Sequence, residues 1–183
     1  MKCTIQLVLD NVGQIKVNHI RKLIDQPGDN NNIINHISIA DIEIEESNLQ
    51  LIKNILDKFA SSHQPLKLTF NSVGIFMTND NVLFLSPVIT EELLKYKNDL
   101  CNQLSEVGID CGNYFSKENW QPHCTIGLKI SDKALINGLE LVKSLDIFPL
   151  EVTLDKIDVS KYNPLPFKEL YSSTLTQEKT QEI

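Results

Sequence analysis

Two short stretches, far apart in the chain, carry residue types suited to acid–base chemistry. Asn35-His36-Ile37-Ser38-Ile39-Ala40 and Pro122-His123-Cys124-Thr125-Ile126-Gly127 each read His-x-(Ser/Thr) with an aliphatic residue closing the motif. Unperturbed imidazole titrates near pH 6.5, so at cellular pH one ring can be neutral and another protonated. Two such rings opposed across a phosphodiester can serve as general base and general acid. Ser38 and Thr125 can donate hydrogen bonds to the non-bridging oxygens where charge builds. His19 and His63 have no hydroxyl two residues on, so the pairing is not a habit of every histidine in this chain.

Each motif sits in an apolar run that reads as a strand, where successive side chains alternate faces. His36 and Ser38 then share one face, as do His123 and Thr125. Ile37, Ile39, Cys124 and Ile126 turn the other way, into a core. The loop before the second motif supplies Tyr114 and Trp120 as candidate base-stacking surfaces. Phe115, in the same loop, reads as core packing. Lys117, Lys129 and Lys161 could touch phosphate or remain solvated surface charges.

The elements that must position these residues follow from periodicity and turn chemistry. Residues 4–10 predict a strand and 14–25 a short amphipathic helix with Ile15, Ile20, Leu23 and Ile24 as its stripe. A loop over 26–32 leads into the first motif strand, 33–44, where a change of face after Ala40 points to a bulge or strand end. Ser47-Asn48-Leu49-Gln50 reads as a capping box before a helix with Ile52, Ile55, Leu56, Phe59 and Ala60 at helical spacing. A strand over 65–77 turns at 79–81 into a second over 82–85. Thr90 caps a helix closed by Gly108; the second motif strand runs 123–130; Ser131 caps a helix with Leu135, Ile136, Leu139 and Val142 as its stripe. Two strands near 150–159 and 167–175 end the fold. The halves repeat in element order, which places the two motifs at equivalent positions.

Bulk properties narrow the function. A chain of 183 residues with a net charge of −7 lacks the clustered cations of an extended nucleic-acid groove, while leaving room for a nucleotide or one RNA end. No apolar run approaches the ~20 residues of a membrane span, and the N-terminus lacks a signal-peptide pattern. The four cysteines form no zinc spacing, and reduced thiols in a cytoplasmic, monomeric protein are expected.

With the two motifs in view, the sequence resembles the 2H phosphoesterase superfamily, also called the 2′-5′ RNA ligase-like or RNA cyclic phosphodiesterase family. That family is defined by two H-x-(S/T)-x motifs, the second often preceded by proline, as Pro122 precedes His123 here. Ser38 in the first copy stays within the pattern. The resemblance implies an α+β, bilobal, pseudo-twofold fold of two mainly antiparallel sheets with outer helices and motif strands facing a central groove. The chain reads as one domain over 1–175, and the polar residues 176–183 as a flexible tail. The resemblance also implies cofactor-free, metal-independent chemistry on 2′,3′-cyclic phosphate ends of RNA or nucleotides, or on 2′-5′ links. Two other readings stay open: a metal-dependent hydrolase, since histidine pairs also hold zinc, and a non-catalytic binder of RNA ends or nucleotides.

Overall fold

The computed structural model describes residues 1–24, 34–78, 81–163 and 167–176. Among the described residues, seven strands and four α-helices run in the order β1 (Lys2–Leu9), α1 (Asn11–Leu23), β2 (His36–Glu43), α2 (Leu49–Ser62), β3 (Leu66–Phe76), β4 (Asn81–Pro87), α3 (Glu91–Ser105), β5 (Cys124–Ile130), α4 (Asp132–Leu145), β6 (Leu150–Asn163) and β7 (Lys168–Thr174). All strand pairs are antiparallel. The expected α+β architecture with outer helices is the one that forms. The two expected sheets are two halves of one hydrogen-bonded network, ordered β2-β1-β6-β3-β4-β5, with β7 also on β6.

β6 makes that continuity. Leu150–Leu154 pair with Phe70–Leu66 of β3, and the residues beyond pair with β1 and β7. Exchanging β1 with β4, β2 with β5 and β6 with β3 maps the order onto itself, so the pseudo-twofold lies between β6 and β3. Two helices cross between halves: α1 packs on β5 as well as on β1 and β6, and α3 packs on β2, whereas α2 stays on β6 and β7 and α4 on β4 and β5. Each motif strand is therefore backed by a helix from the other half. One continuous apolar core, with Leu7, Ile37, Ile39, Leu56, Phe59, Ile126 and Val159 fully buried, fills the space between strands and helices.

Local chemistry explains most element starts. Asp10 accepts from Gly13 N at 2.7 Å, Thr90 from Leu93 N at 3.1 Å and Ser131 from Ala134 N at 3.2 Å, each capping its helix. α1 consequently begins three residues earlier than its apolar spacing suggests. It buries Val17 and Ile20 but leaves Ile15 and Leu23 exposed. The capping box at Ser47 does not form: residues 46–48 make a 3₁₀ turn, and Asn48 enters α2 without a side-chain cap. Ile136 of α4 also faces solvent. The change of face in β2 is a bulge, since Ile5 pairs with Ala40 while Gln6 pairs with Ser38, leaving Ile39 as the extra residue. The loop over 26–32, the turn residues 79–80 and all of the tail beyond Thr176 lie outside the described residues. No helix among the described residues is long and apolar enough to cross a membrane.

His63 is a structural histidine. It is buried, stacked on Phe59 at 3.9 Å, with Nδ1 2.8 Å from the Phe59 carbonyl and Nε2 3.1 Å from Asp99. The cysteines depart from expectation. Cys101 and Cys111 form a disulfide, while Cys3 and Cys124 are free and buried. The bond ties α3 to the loop that covers the outer edge of β2. There Asp41 N donates to the Cys111 carbonyl at 2.9 Å. Gly112, at φ +90°, passes so close that a Cβ would sit 2.8 Å from the Asp41 carbonyl oxygen.

This arrangement predicts that thiol titration in denaturant finds two reactive cysteines without reductant and four with it. Cys111→Ser should lower unfolding stability by roughly 2–4 kcal/mol in denaturant titration. Four thiols without reductant would remove the covalent tie.

Candidate active site

The strand alternation expected of the first motif is present: Ile37 and Ile39 are fully buried, and His36 and Ser38 are half-buried on the opposite face. His123 lies just before β5, which starts at Cys124, one residue later than expected. Cys124 and Ile126 are buried, and His123 and Thr125 are half-buried on the other side. β2 and β5 stand at opposite ends of the strand order yet touch. The two imidazoles are close enough that charge on His123 disfavours charge on His36.

The two rings are held in the same way. His36 Nδ1 lies 2.7 Å from the Ile34 carbonyl, and His123 Nδ1 lies 2.8 Å from the Gln121 carbonyl, each two residues back. A carbonyl can only accept, so Nδ1 carries the proton and Nε2 is the atom left to exchange a proton with a ligand. Burial pulls His36 down to about 4, opposed by its bond to the Ile34 carbonyl and reinforced by His123 and Arg21. Burial also pulls His123 below its ordinary value, against the bond to the Gln121 carbonyl. Both shifts favour the neutral ring.

Around His36 lies a polar clamp that the motif does not disclose. Asn35, buried beside it, donates through its backbone N to Gln14 Oε1 at 3.0 Å and through Nδ2 to Gln14 Oε1 at 2.8 Å and Asn18 Oδ1 at 2.9 Å. Arg21 Nη1 donates to Asn35 Oδ1 at 3.1 Å, and Gln14 Nε2 donates to the Asn35 carbonyl at 2.9 Å. Three α1 residues at helical spacing thus fix the backbone on which His36 turns. Helix periodicity weighs apolar residues, so this polar face of α1 gave no signal. Cys124, buried in β5, lies against the His36 backbone. Burial pushes its thiol up to about 12, against a hydrogen bond at the His36 backbone and the charge of Arg21.

His123 is held by aromatics. Phe76 meets it edge-on at 4.9 Å and Phe84 lies at 5.1 Å. Phe84 is buried because Gly74, directly opposite on β3, leaves room for its ring; a Cβ there would overlap the ring carbons. On the other side Phe167 lies 6.5 Å from His36 and 6.2 Å from Tyr162. Of the loop aromatics, Tyr114 is 81% exposed. Trp120 is half-buried against the core and donates its indole N–H to the Ser38 carbonyl at 3.1 Å, bracing the first motif strand. Phe115 is buried, as its packing role requires. Lys117 and Lys129 are exposed, and Lys161 lies across from Cys3 on β6. Among the described residues, no three His, Cys, Asp or Glu side chains gather as a metal site would need.

The family model described as "2′-5′ RNA ligase superfamily" matches residues 10–164. The fold is similar to TT0787 of Thermus thermophilus, at 15% identity and a TM-score of 0.69, covering 97% of this chain and 100% of that one. It is also similar to E. coli LigT complexed with 3′-AMP, at 16% identity and a TM-score of 0.64, covering 96% of this chain and 98% of that one. A crystal structure of a phosphoesterase matches at 16% identity and a TM-score of 0.63 over the same shares. Comparison with curated proteins finds no match.

The packing at His123 yields a direct test. Gly74→Ala should force the Phe84 ring against His123, costing about 1–3 kcal/mol of stability by overpacking. Since small misplacements of a reacting group can cost on the order of 100-fold, turnover should fall at least about 10-fold at temperatures where the variant stays folded. Wild-type turnover in a folded Gly74→Ala variant would show that Phe84 does not position the ring.

Proposed function

The chain belongs to the 2′-5′ RNA ligase superfamily, and from that premise we propose that it is a metal-independent phosphodiesterase. Its substrates are 2′,3′-cyclic phosphate ends of RNA or nucleotides, or 2′-5′ phosphodiester links. Membership supports phosphoesterase chemistry in general. The observation that carries the finer reading is the matched anchoring of His36 and His123, each with Nδ1 on a carbonyl two residues back and a hydroxyl two residues on.

In hydrolysis of a cyclic phosphate, one Nε2 takes a proton from water as its oxygen attacks phosphorus. The P–O bond to one ribose oxygen breaks in line, and the second imidazole delivers a proton to that oxygen, leaving a phosphomonoester. Ser38 and Thr125 donate to the non-bridging oxygens as negative charge grows there. His36, with the more buried ring and the value of about 4, is suited to be the base. His123 is then the acid. The relative complexed with 3′-AMP supports a nucleotide as ligand. Phe167, exposed beside His36, offers a face for the base; Trp120 and Tyr114 remain the stacking surfaces proposed from the loop.

Hydrolysis of a 2′,3′-cyclic nucleotide, followed by chromatography, tests this. Excess EDTA should leave the rate unchanged. His36→Ala and His123→Ala should each lower it by about 10²–10⁴, and Ser38→Ala and Thr125→Ala by about 10–10³. Near-normal turnover in either histidine variant would sink the assignment, and loss of activity in EDTA would point to a metal.

The pH dependence follows from the two histidines. The base is lost as pH falls through its value of about 4, and the acid is lost as pH rises through a value below 6.5. Because kcat/KM reports the free enzyme, it should peak between those limits and decline from pH 6.5 upward. A profile that climbs steadily into alkaline pH would contradict the assigned pair.

A further inference from the structure

Strand register shows what lies beside the first motif. Ser38 of β2 stands opposite Gln6 of β1, and Gln6 stands opposite Asp158 of β6. Directly opposed residues share a face, so the row Ser38–Gln6–Asp158 lies on the motif side of the sheet. In the row related by the pseudo-twofold, Thr125 stands opposite Phe84 and Phe84 opposite Gly74. One wall of the site is aromatic, and its counterpart carries a carboxamide and a carboxylic acid.

That polar pair is incomplete. Gln6 is 2% exposed and Asp158 0%. Gln6 Nε2 donates to Asp158 Oδ2 at 3.2 Å and Ser160 Oγ donates to Asp158 Oδ1 at 3.3 Å, while Gln6 Oε1 is buried without a partner among the described residues. A fully buried carboxylate served by two neutral donors favours its protonated form. Burial raises Asp158 to about 7, with Glu169 of β7 adding to the rise and Gln6, Ser160 and Lys156 opposing it. On β1 the neighbours Gln6 and Thr4 are neutral. On β2 the titratable groups nearest in register are His36 and Asp41, which pair with Val8 and Thr4 rather than with Gln6.

We propose that Gln6 is a third donor to the phosphate oxygens, beside Ser38 and Thr125, held in that role by the protonated Asp158 side chain. The Asp158 carboxylic O–H donates to Gln6 Oε1, which gives the orphaned oxygen its partner. The amide then turns Nε2 toward the groove, where its two protons need an acceptor. A phosphate oxygen held by the neighbouring Ser38 supplies one. Neutral Asp158 also removes the one charge in this row that would repel an anion. The inference rests on the phosphodiesterase reading for its substrate, and on the register and hydrogen bonds for its geometry.

The test uses sulfate, whose charge is constant through the neutral range, with binding by calorimetry alongside turnover of a 2′,3′-cyclic nucleotide. Gln6→Leu should weaken sulfate binding and lower kcat/KM by about 10- to 100-fold, as for a lost oxyanion donor. Asp158→Asn keeps a neutral donor to Gln6 Oε1. It should match wild type near about pH 6 and bind sulfate about 10-fold more tightly than wild type near about pH 8.5, where Asp158 is ionised. Melting curves screen folding, and Gln6→Met replaces the leucine variant if that one is destabilised. If Gln6→Leu or Gln6→Met binds and turns over as wild type does, or if the Asp158→Asn to wild-type ratio is the same at both pH values, the proposal is overturned. If the cyclic nucleotide is inert with wild-type protein yet the sulfate effects appear, the anion site stands and the phosphodiesterase reading fails.

Discussion

The two motif strands face each other only if the two halves of the chain hold a fixed relation, and a single strand sets it. β6 is long enough to pair with β3 over its first residues and with β1 and β7 over the rest. A flexible hinge between two separate sheets would let the motif strands drift, and a drift of about one ångström at a reacting group is already costly. The crossed helices strengthen the same constraint. α1 backs β5 and α3 backs β2, so neither motif strand can move without disturbing a helix from the opposite half. The shared apolar core then makes the relation between motifs part of the folding transition rather than a later adjustment.

Much of this was legible in the sequence because it depends on local rules. Period-2 alternation placed Ile37 and Ile39 inward and His36 and Ser38 on the site face, and the structure agrees. Thr90 and Ser131 cap the helices they precede because a hydroxyl there has backbone N–H groups within reach and no competing partner. Ser47 has the same chemistry, but a 3₁₀ turn displaces the start of α2 and leaves Asn48 at the cap. Ile15, Leu23 and Ile136 satisfied an apolar spacing without lying on a buried face, since neighbouring elements decide which stripe of a helix is covered.

What local rules could not supply are partners distant in sequence. Cys101 and Cys111 carry no motif; they meet because the loop after α3 folds back along the edge of β2. Gln14, Asn18 and Arg21 look like an ordinary polar helix face until Asn35 arrives between them. Gly74 reads as a strand-weakening residue until Phe84 is placed opposite it. Both motif histidines are held by residues whose importance is visible only after strand register is known. The two H-x-(S/T) motifs mark the candidate groups, and their supports are contributed by the rest of the fold.

Electrostatics ties these supports to the chemistry. Burial disfavours the imidazolium at both His36 and His123. An anion beside Nε2 would reverse that preference, since its negative charge stabilises a protonated ring. In the proposed hydrolysis, the acid for the leaving group would be created by the substrate's own charge. The same reasoning applies to the polar wall. A carboxylate ionised in that position would oppose the anion, whereas a protonated one leaves the row neutral. Burial, which is costly for charged groups, thus suits the proposed site to an anionic ligand.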